Sequence, residues 1–206
     1  MKVMLLNGSP NAKGNTRTAL EECAKELNGC GIETELVNIG AGAIPGCRAC
    51  GACARLGKCV IDDAVNEFRF KLEAADGLVV GTPVYYASPN GSLMSFLDRL
   101  FFTGSGTFRY KPAAAVAVAR RAGTVSSFDV LNKYFTICEM PIVSSSYWND
   151  AFGQAPGQAA GDAEGLQTMR NLGRNMAWLL KCIELGKASG VTPPDNEYDS
   201  FTNFIR

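Results

Sequence analysis

The sequence predicts a doubly wound α/β domain: a parallel sheet of five strands with helices on both faces. Three observations carry that prediction. Short apolar runs alternate with segments whose apolar residues recur at 3.6-residue spacing, from one end of the chain to the other. Each run stops at turn-forming residues. No internal repeat or shift in composition marks a second domain in the 206 residues, a length that one buried core accommodates.

KVMLLN (2–7) is the first strand, halted by NGSPNAKG. The helix after it carries Ala19, Leu20, Cys23, Ala24 and Leu27 on one face and ends near Gly29 and Gly31. IETELVNI (32–39) alternates apolar and polar residues, as a strand with one partly exposed face does. A cysteine-rich loop spans 43–62. Asp62 or Asp63 then caps a helix that turns Val65, Phe68, Leu72 and Ala75 inward. GLVVGTP (77–83) is the third strand, broken by Pro83, and Asn90 caps a helix through SLMSFLDRLFF. AAAVAVA (113–119) is the fourth strand, followed by a helix from about Thr124 to Ile137. MPIVSSSYW (140–148) is the fifth. A Gly/Gln/Ala/Pro-rich loop, 151–163, leads to a closing helix with Met169, Leu172, Met176, Leu179, Leu180 and Ile183 on its apolar side. The face formed by Phe96, Leu97, Leu100, Phe101 and Phe102 exceeds what one helix needs to cover a sheet, and predicts a subunit interface.

Composition excludes several function classes. Lys+Arg and Asp+Glu balance at 20 each, so no global field recruits nucleic acid or an anionic membrane. The longest strongly apolar run, PAAAVAVA (112–119), is far too short to span a bilayer. The apolar stretch in MKVMLLNGSP is too short for a signal peptide, which leads to an expected cytoplasmic location. The chain has no histidine, so it has no His-based triad, imidazole base or His-ligated zinc. Catalysis must then use a cofactor, thiols, carboxylates or tyrosines.

Doubly wound sheets bind ligands beyond the carboxyl ends of their strands, where the strand order reverses. That rule singles out the loops 7–16, 82–90, 119–124 and 144–150. In LNGSPNAKGNT (6–16), Ser9, Asn11, Asn15 and Thr16 offer hydrogen-bonding groups and Lys13 a charge, while Gly8 and Gly14 permit tight turning. With the unpaired amides at the start of the helix they form a phosphate cradle. The same residues also suit an ordinary turn rich in capping groups. The loop is neither GxGxxG nor GxxxxGK[ST]. In TPVYYASPNGSL (82–93), Pro83 fixes the backbone, and two tyrosines stand where a flat heteroaromatic ring would stack or where they would simply cover surface.

GSPNAKGNT (8–16) followed by DGLVVGTPVYYASPNGSLMSFLDR (76–99) resembles the NAD(P)H-dependent FMN reductase family and its iron–sulfur flavoprotein relatives. The segment CxxCxxCx5C followed by VIDD lies between the two motifs and strengthens the likeness, which covers about residues 1–150. The resemblance implies a flavodoxin-like fold with strand order 2-1-3-4-5. It implies FMN, its phosphate held by Ser9, Asn11, Asn15 and Thr16, with Lys13 or Gly14 nearby. Pro83, Val84, Tyr85 and Tyr86 would line the isoalloxazine, and Arg120, Ala122 and Gly123 of ARRAG (119–123) would approach its pyrimidine side. It further implies NAD(P)H as co-substrate, a small-molecule or protein electron donor and acceptor, and a homodimer or homotetramer.

Cys47, Cys50, Cys53 and Cys59 are spaced C-x2-C-x2-C-x5-C. Such spacing lets four thiolates converge on a [4Fe–4S] cluster. A tetrathiolate zinc site generally sets two CxxC pairs further apart, and free or redox-active thiols stay open. Cys23, Cys30, Cys138 and Cys182 fall in or beside helices and are read as small buried residues. The expected activity is FMN-dependent oxidoreduction. An electron carrier and a flavin- or thiol-sensing module are the alternatives.

Overall fold

The computed structural model describes residues 1–202 and 204. Its strands are β1 (Lys2–Asn7), β2 (Glu33–Asn38), β3 (Gly77–Tyr85), β4 (Ser88–Pro89), β5 (Ala113–Ala119) and β6 (Asp150–Phe152). Its helices are α1 (Asn15–Gly29), α2 (Cys53–Leu56), α3 (Ala64–Glu73), α4 (Gly91–Phe108), α5 (Thr124–Ile137) and α6 (Ala163–Ala188), with a 3-10 turn at Gln158–Gly161. Five strands run parallel in the order β2-β1-β3-β5-β6, while β4 only pairs back on β3 as a hairpin. Leaving β4 aside, the order is the expected 2-1-3-4-5.

The three central strands read as continuous apolar runs because both of their faces are covered. Met4, Leu6, Leu78, Val80, Ala113 and Ala115 meet α3, α4 and α5. Val3, Leu5, Val79, Ala114 and Val116 meet α1 and α6. α6 lies so close to α1 that a Cβ on Gly173 would come within 2.8 Å of the Cys23 carbonyl oxygen. Asp63 caps α3 by accepting from the Val65 amide, and Asn90 caps α4 by accepting from those of Ser92 and Leu93. Among the described residues no helix is long and apolar enough to cross a membrane.

The structure corrects four expectations. First, β3 does not break at Pro83 but runs on to Tyr85. Leu78 donates its N–H toward β5, to Pro112 O, so by strand alternation the missing N–H of Pro83 faces the β1 side. β1 has already ended there, at Asn7, and no ladder bond is lost. Second, 140–148 is not a continuous strand. Ile142 makes one bridge to Ala113, and regular pairing resumes only at Asp150. The intervening serines turn to α6 instead: Ser145 Oγ donates to Thr168 O, Asn175 donates to Ser144 O, and Asn171 donates to Ser146 Oγ.

Third, four of the five residues on the α4 face predicted as an interface are buried within the protomer. Phe96 packs edge-on against Phe68 and Phe101 edge-on against Phe108, while Phe101 meets Tyr134 and Phe135 at a tilt. Only Phe102 is exposed. Fourth, Cys23 and Cys138 are buried as expected, but Cys30 is partly exposed and Cys182 exposed.

Candidate flavin and cysteine sites

The ends of four strands, β1, β3, β5 and β6, meet at one cleft of about 310 Å³, lined by Ser9, Asn11, Gly14, Asn15, Thr16, Pro83, Val84, Tyr85, Val118, Ala119, Arg120, Gly153, Gln154 and Pro156. Nine of the thirteen residues singled out for a flavin are brought together here. Lys13, Tyr86, Ala122 and Gly123 are not among the lining residues.

The floor is built by short-range turns. The Ser9 amide donates to Asn7 Oδ1, the Asn11 amide to Ser9 Oγ, and the Lys13 amide to Asn11 Oδ1. The chain enters α1 through Gly14, a cap with no side chain. The amides of Asn15, Thr16 and Arg17 therefore have no partner among the described residues, and Asn15 and Thr16 line the cleft. Ser9 and Thr16 are buried. Thr16 turns its methyl toward Gly81, where an added Cβ would stand 3.0 Å from it. Asn15 has another job: its Nδ2 donates to Ala155 O and its Oδ1 accepts from the Ala159 amide, so its side chain ties the 153–159 loop over the cleft.

The second wall is the β3–β4 hairpin. Its two central residues, Tyr86 and Ala87, have φ of 50° and 57°, the left-handed pair of a type I′ turn that Asn-Gly normally supplies. Tyr86 is fully exposed at the tip, and only Tyr85 joins the cleft. Gly123, itself at φ 90°, braces the hairpin from α5. A Cβ there would come 2.7 Å from Ala87 Cα, and Ser126 Oγ donates to Ala87 O at 2.7 Å. Since Tyr86 buries nothing, the double change Tyr86→Asn, Ala87→Gly is expected to stabilise the fold by about 1 kcal/mol in urea unfolding. An unchanged midpoint would show that the turn carries no strain.

The four cysteines line a second cavity of about 150 Å³, together with Arg48, Ala49, Gly51, Val60, Ile61, Arg99, Phe102 and Thr103. Positive φ at Ala49, Gly51 and Gly57 turns the chain around it. Two sulfurs already accept N–H bonds, Cys47 Sγ from the Ala49 amide at 3.4 Å and Cys59 Sγ from Arg99 Nε at 3.3 Å. Asn66 holds the Cys59 backbone at both its N–H and its carbonyl. Burial pushes the Asp63 carboxyl up, but bonds from Arg99 and from the Val65 amide outweigh that and hold it below the usual carboxylate range. Among the described residues no three thiols or carboxylates gather tightly enough to hold a single metal ion.

A family model described as NADPH-dependent FMN reductase matches residues 1–155. The chain belongs to that family. It is also 34% identical over 192 residues to an iron–sulfur flavoprotein of Methanocaldococcus jannaschii, covering 89% of the chain and 100% of the relative. Two solved structures show its fold. RosB with the bound intermediate 8-demethyl-8-formylriboflavin-5'-phosphate superposes with a TM-score of 0.71 at 15% identity, over 100% of this chain and 92% of that one. A flavodoxin from the domain Archaea gives 0.61 at 14% identity, over 88% and 99%. The fold is flavodoxin-like, and the chain is an FMN-dependent oxidoreductase.

The cleft fits a flavin phosphate. Free amides at a helix start, the hydroxyl residues Ser9 and Thr16 in the lining and the positive end of the α1 dipole are a donor set that suits an anion. Sequence reasoning missed Val118 and Ala119, which end β5, and Gly153, Gln154 and Pro156 beyond β6. The second group had a signal in the 151–163 composition. A fifth strand read at 140–148 hides it, because the strand that ends at the cleft is β6, Asp150–Phe152.

Proposed function

We propose that this chain transfers electrons from NAD(P)H through FMN held in the 310 Å³ cleft to an acceptor outside the protein. The observation that carries the reading is the unpaired amides at the start of α1, where Asn15 and Thr16 line a cleft shared with Tyr85 and Arg120. When bound, FMN supplies the hydride chemistry. The chain's own residues orient and shield it. The α1 amides, with Ser9, Asn11 and Thr16, hold the phosphate. Pro83, Val84 and Tyr85 present backbone and one ring to the isoalloxazine. Arg120 offsets negative charge on its pyrimidine side. Lys13 and Gly14 shape the loop, Asn15 keeps the 153–159 segment over the ligand, and Gly123 supports the hairpin. With no histidine in the chain, no imidazole takes part in proton transfer.

The test is anaerobic mixing of FMN-loaded protein with NADPH and, separately, NADH. Bleaching of the visible flavin band by either supports the reading. A flavin that both leave oxidised overturns it in favour of an electron carrier fed by a protein donor.

A second group is favoured by the four thiols that ring one cavity instead of meeting at a point. The irons of a [4Fe–4S] cubane take one thiolate each, and N–H bonds to sulfur are a usual part of such sites. Cys47, Cys50, Cys53 and Cys59 would hold the cluster, giving the protein a means of exchanging single electrons with its partner. Iron and sulfide assays on anaerobically purified protein check this. About four of each per chain is the expected result, and none of either refutes it.

A further inference from the structure

We infer that Arg99 is a positioning residue of the four-cysteine site, one that closes the socket and sets the reduction potential of the cluster held there. This rests on the cluster reading given above. Arg99 lies within α4, is 1% exposed and is the largest fully buried side chain. A guanidinium has five N–H donors, and all five are spent. Nε donates to Cys59 Sγ at 3.3 Å, and Nη1 to Pro45 O at 3.3 Å and Asp63 Oδ2 at 2.7 Å. Nη2 donates to Ile61 O at 3.0 Å and Asp63 Oδ1 at 2.7 Å.

These partners flank the cysteine loop on both sides, Pro45 before Cys47 and Ile61 and Asp63 after Cys59. One planar group therefore ties the two ends of the loop together. An ammonium cannot copy that fork. Other bonds also fix this region: Asp63 caps α3 through the Val65 amide, and Asn66 holds the Cys59 backbone. What the cation adds is a charge-assisted N–H bond to one ligand sulfur. The carboxylate occupies the Nη edge and leaves Nε for the thiolate. Reduction by one electron from an external reductant adds one negative charge to a thiolate-ligated cluster. A buried donor of this kind favours that reduced state.

The experiment uses the full chain, reconstituted anaerobically as wild type, Arg99→Met, Arg99→Lys and Asp63→Asn. Iron and sulfide are assayed, and dithionite titrations are followed by cluster absorption and electron paramagnetic resonance. In Arg99→Met, the reduced-to-oxidised ratio at fixed potential is expected to fall at least tenfold, equivalent to about 59 mV for one electron. Arg99→Lys is expected to fall between that variant and wild type. Asp63→Asn keeps the Oδ1 cap and the cation but removes a negative charge, so its ratio is expected to rise.

Opposite signs at Arg99 and Asp63 are the readout that simple loosening of the loop does not produce. If Arg99→Met takes up no iron, the sign for Asp63→Asn decides. Ratios within twofold of wild type, or shifts of one sign in both variants, overturn the inference. A wild-type chain that takes up no iron or sulfide refutes the cluster reading, and the inference falls with it.

Discussion

Replacing Asn11 with aspartate is expected to weaken FMN binding roughly 30- to 150-fold while leaving the apo chain as stable as wild type. The substitution is nearly isosteric, and Oδ1 can still accept from the Lys13 amide, the bond that shapes the turn. What changes is one charge at a cleft whose free α1 amides await a dianion. Like charges about 4 Å apart repel by between about 1 and 4 kcal/mol, depending on how much water lies between them. Asn11 is exposed and lines the cleft, so the middle of that range applies. The defect should shrink as salt is added. Fluorescence titration of apo protein with FMN measures both effects. Asn11→Ala loses the turn bond without adding charge and separates the two contributions. Wild-type affinity for Asn11→Asp at low salt would remove the phosphate from this end of the cleft.

Gly8→Ala is expected to cost roughly 2–3 kcal/mol of stability, lowering Tm by about 4–12 °C in a chain of this size. Gly8 donates its N–H to Gly81 O at 2.8 Å and continues the β1–β3 ladder one residue past the end of β1. A Cβ at this position would stand 2.8 Å from that same carbonyl oxygen and would also clash with the Leu93 side chain. The backbone oxygen cannot rotate away, so β1 must part from β3 where the phosphate loop begins. FMN affinity should fall together with stability, unlike in Asn11→Asp, where the two separate. Calorimetry of the apo protein checks the first effect. A Tm within a degree of wild type would mean that this contact relaxes freely.

Much of the fold was legible because its signals are local. Leu5, Val79 and Val116 sit in runs apolar on both faces, which only a doubly covered strand explains. Asp63 and Asn90 announce helix starts through their own side chains, and Ser9, Asn11 and Gly14 announce a turn before an amide-rich helix end. What stayed hidden depends on partners remote in sequence. The Asn15 side chain is claimed by Ala155 and Ala159, some 140 residues away. Whether Pro83 breaks a strand depends on which neighbour its missing N–H would have faced. The aromatic face of α4 looks like surplus until Tyr134 and Phe135 arrive from α5. Arg99 stands 40 residues after the last cysteine of the motif it touches, and only the packed helix pair α3–α4 places it there.

The flavin cleft and the cysteine cavity have no wall residue in common. Sites with no shared partner residue are expected to couple weakly through direct contacts. On the reading proposed above, half-filled forms are then expected as well-defined species: a chelator would strip a sulfur-ligated group while the yellow chromophore stays seated, and reconstitution would proceed in either order. Preparations of differing colour then report how each was handled, not separate folded states.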